Sequence, residues 1–211
     1  MTGKLYIKVC GMKFSGNREQ LEPLPIDLFG FIFYPPSPRY IGAMDLDETK
    51  SLMATDKCKA GVFVNADAGL ILQYAKRFGL THIQLHGNET PDECMNLKMY
   101  GLQVIKAFRL DKDFDFGITE TYAGKSDYLL FDTRAEQPGG TGKKFDWEIL
   151  QGYEGNTPFF LSGGIGPKDA SAILEFQHPK LYGIDLNSGF EIEPGLKDPE
   201  LLREFLLQLG H

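Results

Sequence analysis

A chain of 211 residues, 42% hydrophobic and 24% charged, suits one globular domain with a sizeable core. Its net charge of -7 argues against nucleic acid as the main partner, though a single arginine or a set of backbone dipoles can still hold an anionic ligand. No apolar run reaches the roughly 18 residues that a membrane span needs.

Short runs rich in Val, Ile, Phe and Tyr recur along the chain at 5–9, 28–33, 60–64, 82–85, 104–108, 128–131, 159–161 and 181–186. The spacing between them predicts one strand-plus-helix unit after another. Pro23 and Pro25 cut the first intervening helix short. Leu70, Ile71, Tyr74, Ala75 and Phe78 form a helical stripe that stops at Gly79. Thr90-Pro91-Asp92-Glu93 reads as a capping box with proline at the first helical position. The stretch 111–124 offers only a turn or two. Pro167 opens a helix with Ala170, Ile173 and Leu174 on one face, and a last helix over 198–209 carries Leu201, Leu202, Phe205, Leu206 and Leu209.

Strand–helix alternation predicts a parallel sheet. Eight such units fit a closed (β/α)8 TIM barrel, compact beside the usual length of about 250 residues, as one domain over 1–211. An open doubly wound sheet is the competing architecture, but the first strand is not followed by GxGxxG.

The N-terminus passes into a strand without an export-signal core, and Cys10, Cys58 and Cys94 show neither pairing nor zinc spacing. Reduced thiols and a cytoplasmic location are expected. His82, His86, His178 and His211 form no metal motif, and a structural role is expected for His86.

A barrel places its chemistry at the C-terminal ends of the strands. Those ends carry Cys10-Gly11, the "YPPSPRY" segment 34–40, Asn65, His86-Gly87, Arg109, Asp132, "SGGIGPKD" at 162–169 and "DLNSGFE" at 185–191. The last two segments hold Ser162, Gly163 and Gly164, then Asp185, Asn187, Ser188 and Gly189. Glycines there expose backbone N–H groups, helix N-termini add positive potential, and barrels commonly bind phosphate at these loops. Tight turns alone would also call for the glycines. Gly140 sits in a third glycine-rich loop, 139–142, with Lys143 and Lys144 beside it; it suits either a cover over a ligand or a plain surface loop. Cys10 and Asp132 end non-adjacent strands and so form a candidate acid–base pair across the mouth, although for each residue alone packing or capping is the stronger explanation. Lys8 shares a strand face with Cys10 and would supply positive potential to a thiolate. Arg39, flanked by Pro36 and Pro38, is either a stiffly held carboxylate receptor or a structural loop arginine.

Taken together, "IKVCGM" (7–12), "GFIFYPPSPRY" (30–40), "GVFVN" (61–65), "IQLHG" (83–87), "LLFD" (129–132), "GGTGKKFDW" (139–147), "LSGGI" (161–165) and "DLNSGFE" (185–191) resemble the phosphoribosylanthranilate isomerase family of tryptophan biosynthesis. The matches keep the family's order over nearly the whole chain; the proline-containing segment between Gly11 and Leu28 departs from the usual first helix. The resemblance implies an Amadori rearrangement of N-(5-phosphoribosyl)anthranilate, with Asp132 as general acid, Cys10 as general base, Arg39 facing the anthranilate carboxylate, and the loops after the seventh and eighth strands holding the phosphate. It implies a small phosphorylated substrate, no cofactor and no metal, since the reaction has no net redox change. Two other readings remain open from sequence: another phosphosugar-processing barrel of histidine or tryptophan biosynthesis, and a non-catalytic phosphate-binding barrel. Self-association and contacts with pathway enzymes stay undecided at this level.

Overall fold

Residues 4–133 and 147–211 are described by a computed structural model, with only the backbone of Thr133 included. In it the apolar runs become β1 (Tyr6–Cys10), β2 (Leu28–Ile32), β3 (Cys58–Phe63), β4 (His82–Leu85), β5 (Gln103–Leu110), β6 (Tyr128–Thr133), β7 (Phe159–Ser162) and β8 (Leu181–Leu186). Each pairs in parallel with its sequence neighbour, and β8 pairs with β1. The result is a closed eight-stranded barrel rather than an open sheet. Closure removes the two unpaired edges that an open sheet would leave.

Helices α1 (Ser15–Leu21), α2 (Leu46–Leu52), α3 (Ala68–Phe78), α4 (Pro91–Met99), α5 (Gly117–Glu120), α6 (Ala170–Glu175) and α7 (Pro199–Gln208) lie in the intervals. Their ends follow from local chemistry. Asp67 caps α3 by accepting from Gly69 and Leu70, and Gly79 ends it in the left-handed region. The capping box of Thr90 and Glu93 opens α4 as expected. Asp198 caps α7 with Pro199 in its first turn. Between β6 and β7 the described residues hold only a 3-10 turn, Trp147–Gly152.

One expectation is corrected. The helix after β7 begins at Ala170, not Pro167, and Leu174 faces solvent. Gly166 N donates to Asp169 Oδ2 at 2.7 Å, so 166–169 close as a turn before the helix starts.

The core has two layers. A large cluster between strands and helices includes Phe29, Phe31, Phe63, Ile83, Phe131, Phe159, Ile184 and Phe205. A smaller one, Leu28, Ala60, Ile105, Ala107, Leu130 and Phe160, fills the barrel itself. Tyr6, Tyr128 and Tyr182 pack against that interior cluster, with Tyr6 stacked on Tyr182 at 5.0 Å. Beyond β8, β9 (Glu191–Glu193) and β10 (Leu196–Lys197) form a small antiparallel hairpin.

Candidate active site

The interior cluster identifies which face of each strand points inward. Register pairs Leu130 with Phe160, so Asp132, two residues on, shares the inward face and pairs with Ser162. On β1, Cys10 pairs with Gly30 two residues above the Lys8–Leu28 pair, and Leu28 is an interior residue. Cys10 and Asp132 therefore end on the inward face of β1 and β6, separated around the ring by β7 and β8. Both stand at the C-terminal mouth. Cys10 is buried, whereas the Asp132 side chain is 24% exposed.

Around Cys10 the barrel interior is charged. Lys8 Nζ donates to Asp185 Oδ1 at 2.8 Å, and both side chains are buried. Burial pushes the Cys10 thiol above its ordinary pKa; Lys8 and Lys197 pull the other way, and Asp185 adds to the rise. Burial also opposes the Lys8 ammonium, but Asp185 and Cys10 outweigh it and hold its pKa above the usual value. The expected positive support from Lys8 is present, and desolvation exceeds it. The thiol is thus the resting form of Cys10 at neutral pH.

Asp132 has a neighbour that its own segment does not announce. His86 Nε2 lies 3.4 Å from Asp132 Oδ2, and His86 Nδ1 lies 2.8 Å from Gln84 Nε2. The loop carrying His86 is anchored by Lys106. Its buried Nζ donates to the carbonyls of Leu85 and Gly87 and to Glu89. Arg109 pairs in register with Asp132 and is exposed at the rim.

Arg39 sits on the loop after β2, where the bridge between Ile32 and Tyr40 and the bond from Arg39 N to Ser37 Oγ set its backbone. Its guanidinium grips Glu191 through Nε at 2.8 Å and through Nη2. Buried Lys197 donates to Glu191 Oε1 and Asn187 Oδ1, each at 2.7 Å. Burial opposes ionisation of Glu191, yet the bonds from Arg39 and Lys197 hold its pKa at about 2. Neither Glu191 nor Lys197 carries a signal of its own in the sequence, beyond the place of Glu191 at the end of the "DLNSGFE" segment.

After β7, Gly163 and Gly164 adopt φ of 87° and 67°, a region that suits glycine. Gly189 lies so close to Ile165 O that an added Cβ would collide with it, which brings the two glycine loops together. Ser188 and Gly189 are exposed in a 3-10 turn, Ser188–Phe190, while Ser162 is buried. Helix α6 starts only at Ala170, so Gly163 and Gly164 stand ahead of the helix rather than at its end. Asp185 is committed to Lys8, and Asn187 to Lys197. Gly140 and the loop 139–144 lie outside the described residues. Among the described residues no His, Cys, Asp and Glu group has metal-binding geometry, and no helix is long and apolar enough to cross a membrane.

A closed eight-stranded parallel barrel with a cysteine, an aspartate and two glycine-rich loops at its C-terminal mouth has the architecture of a TIM-barrel enzyme. Residues 7–208 match the family described as N-(5'phosphoribosyl)anthranilate (PRA) isomerase. The N-(5'-phosphoribosyl)anthranilate isomerase of Parabacteroides distasonis is 49% identical over 209 residues, covering 98% of this chain and 94% of that one. That of Phocaeicola vulgatus is 46% identical over 206 residues, covering 97% and 98%. The crystal structure of phosphoribosyl anthranilate isomerase from Thermotoga maritima superposes with a TM-score of 0.85 at 28% identity, covering 98% of this chain and 99% of that one. A phosphoribosyl anthranilate isomerase crystallised with reduced 1-(o-carboxyphenylamino)-1-deoxyribulose 5-phosphate gives 0.83 at 26% identity, with the same coverage. The chain belongs to the N-(5'-phosphoribosyl)anthranilate isomerase family and is an enzyme of tryptophan biosynthesis.

Proposed function

We propose that Cys10 and Asp132 perform the proton transfers of the family's Amadori rearrangement, which converts N-(5'-phosphoribosyl)anthranilate to 1-(2-carboxyphenylamino)-1-deoxyribulose 5-phosphate. The observation that carries this reading is the shared inward orientation of the two residues at one end of one barrel, on strands that are not neighbours. A substrate lying across the mouth meets an acid from one wall and a base from the other.

The steps balance without an outside oxidant or reductant. Asp132, protonated, gives its proton to the furanose ring oxygen as the C1'–O bond breaks. The anilino nitrogen lone pair forms the C1'=N bond of an iminium ion. Cys10, as thiolate, removes the C2' proton, and that electron pair becomes the C1'=C2' bond while the iminium pair returns to nitrogen. The enolamine then takes a proton at C1' from the Cys10 thiol and gives its C2' hydroxyl proton to the Asp132 carboxylate as the ketone forms, which restores both residues. The competent form thus keeps one proton on Asp132 and none on Cys10, against the preference of the buried thiol. His86 lies against the Asp132 carboxyl and orients it.

Binding divides among the loops. The loop of Gly163 and Gly164, with Ser188 and Gly189 beside it, suits the phosphate. Arg39 suits the anthranilate carboxylate. Lys8–Asp185 and Asn187–Lys197 serve as braces beneath. A cytoplasmic location, where thiols stay reduced, suits a mechanism that needs Cys10 free.

The test follows the fluorescence of the anthranilate adduct in Cys10→Ser and Asp132→Asn. Each should lose about 10²- to 10⁴-fold in kcat while melting like the parent chain. Near-parental turnover in both variants would refute the assignment.

A further inference from the structure

The Arg39–Glu191 pair poses a problem. An arginine that receives a substrate carboxylate is already bound to a carboxylate of its own protein. The geometry resolves it. Glu191 takes the guanidinium side-on, through Nε and Nη2. A guanidinium has five N–H donors in a fixed plane, so the edge formed by Nη1 and the second hydrogen of Nη2 remains. Among the described residues nothing bonds to Nη1.

Charge balance points the same way. A lone Glu191 would cancel Arg39 and spoil it for an anion. Here Lys197, wholly buried, shares Glu191 Oε1 at 2.7 Å, and Gly195 N adds a third donor to that oxygen at 2.9 Å. Two cations flank one carboxylate, so a net positive charge stays at the Arg39 edge. Lys197 is in turn pinned through its backbone, with Asn17 Oδ1 accepting from its N–H and Asn17 Nδ2 donating to its carbonyl, both at 2.8 Å. The β9–β10 hairpin is thereby tied to α1. The Arg39 stem passes over Gly11, where an added Cβ would be 2.6 Å from Arg39 Cδ. The Arg39 stem is therefore held next to the residue that follows Cys10.

We propose that Glu191, backed by Lys197, is a positioning and specificity residue: it locks the Arg39 guanidinium side-on so that the end-on edge receives the aromatic carboxylate of the substrate beside Cys10. Glu191 touches Arg39, not the substrate. The inference rests on the reading that Arg39 meets that carboxylate. Its energetic content is entropic. A long side chain fixed before binding does not lose its rotamers on binding.

Two probes separate the possibilities: reduced 1-(o-carboxyphenylamino)-1-deoxyribulose 5-phosphate, and the same molecule with phenyl in place of carboxyphenyl. Glu191→Gln should weaken the first by about three- to tenfold, the value of one freed side chain, and leave the second within about twofold. Its KM should rise more than its kcat falls. In an Arg39→Ala background, Glu191→Gln should add nothing further. Glu191→Gln/Lys197→Met, which removes both buried charges together, repeats the measurement should the single variant fold poorly. Equal weakening of both probes, or none where Arg39→Ala discriminates between them, overturns the inference. If Arg39→Ala itself treats the two probes alike, the carboxylate role of Arg39 fails, and this inference with it.

Discussion

Lys8 Nζ and Asp185 Oδ1 lie 2.8 Å apart inside the barrel, on adjacent strands in direct register, one pleat below Cys10. The pair is the electrostatic floor beneath Cys10, the proposed base. Asp185 neutralises an ammonium that would otherwise be buried alone, and the ammonium in turn favours the thiolate.

Removing that ammonium should move the thiol. Lys8→Met takes away a group that lowers the Cys10 pKa and leaves bare the Asp185 carboxylate that raises it, so the thiol titrates at still higher pH. Less thiolate at a given pH means a slower proton abstraction. We expect kcat/KM at neutral pH to fall about tenfold if the titration midpoint rises by about one pH unit. Lys8→Met/Asp185→Asn, which leaves no unpaired buried charge, should recover the stability lost in the single variant and only part of the rate, since it removes the Asp185 charge that raises the thiol pKa as well as the Lys8 charge that lowers it. Thiolate absorbance titrated against pH, with Cys10→Ser as blank, reads the change directly; an unmoved titration would exclude the role of Lys8.

Acid stability should carry the mark of His82. Burial, followed by the nearby Lys8 ammonium, lowers its pKa from 6.5 to about 4. The folded state therefore resists a proton that the unfolded chain accepts. This contribution is intact above pH 6.5 and is lost progressively as pH falls from there towards 4. Urea unfolding across that range should show a smaller decline in His82→Gln than in the parent chain. Parallel declines would place the acid sensitivity elsewhere.

Lys106 and Glu89, 3.1 Å apart and both buried, knit three strand ends together. Glu89 accepts from Asn65 N and Gly87 N, while Lys106 donates to Leu85 O and Gly87 O. Lys106→Met leaves Glu89 uncompensated and should cost about 3–5 kcal/mol of unfolding free energy. Because the same loop carries His86 against Asp132, kcat should fall as well, by a factor that the more conservative Lys106→Arg partly restores. A stability change under about 1 kcal/mol would mean that water reaches the pair.

Gly11 has φ of +79°, and a methyl group there would approach Arg39 Cδ to 2.6 Å and Asn187 Oδ1 to 2.8 Å. Gly11→Ala should therefore lose about 1–2 kcal/mol of stability from backbone strain. It should also raise KM through the displaced Arg39, which calorimetry and steady-state kinetics can separate. An unaltered KM would show that the Arg39 stem yields without moving its head.

Much of the frame was legible along the chain because it depends on local preference. Strands buried on both faces read as apolar runs, and the caps of α3, α4 and α7 are chemical signatures a few residues long. The strand bounds were less visible where polar residues lie near the strand ends: β3 starts at Cys58 and β5 runs on to Leu110, past the exposed Arg109. Cys10, Asp132 and Arg39 could be picked out because strand ends in a barrel share one rim. Their partners could not. Glu191 lies 152 residues from Arg39, and Asp185 lies 177 from Lys8.

By itself the sequence determined an alternation of eight strands with intervening helices and turns, and the residue types presented at the strand ends, since both follow from side-chain periodicity and backbone propensity within short windows. Only the tertiary structure decided that the ring closes with β8 against β1, that the Cys10 thiol rests protonated over a Lys8–Asp185 pair, and that Glu191 and Lys197 hold Arg39 with one edge open. Those outcomes depend on distance and desolvation between groups far apart in the chain, and neither quantity exists until the barrel has closed.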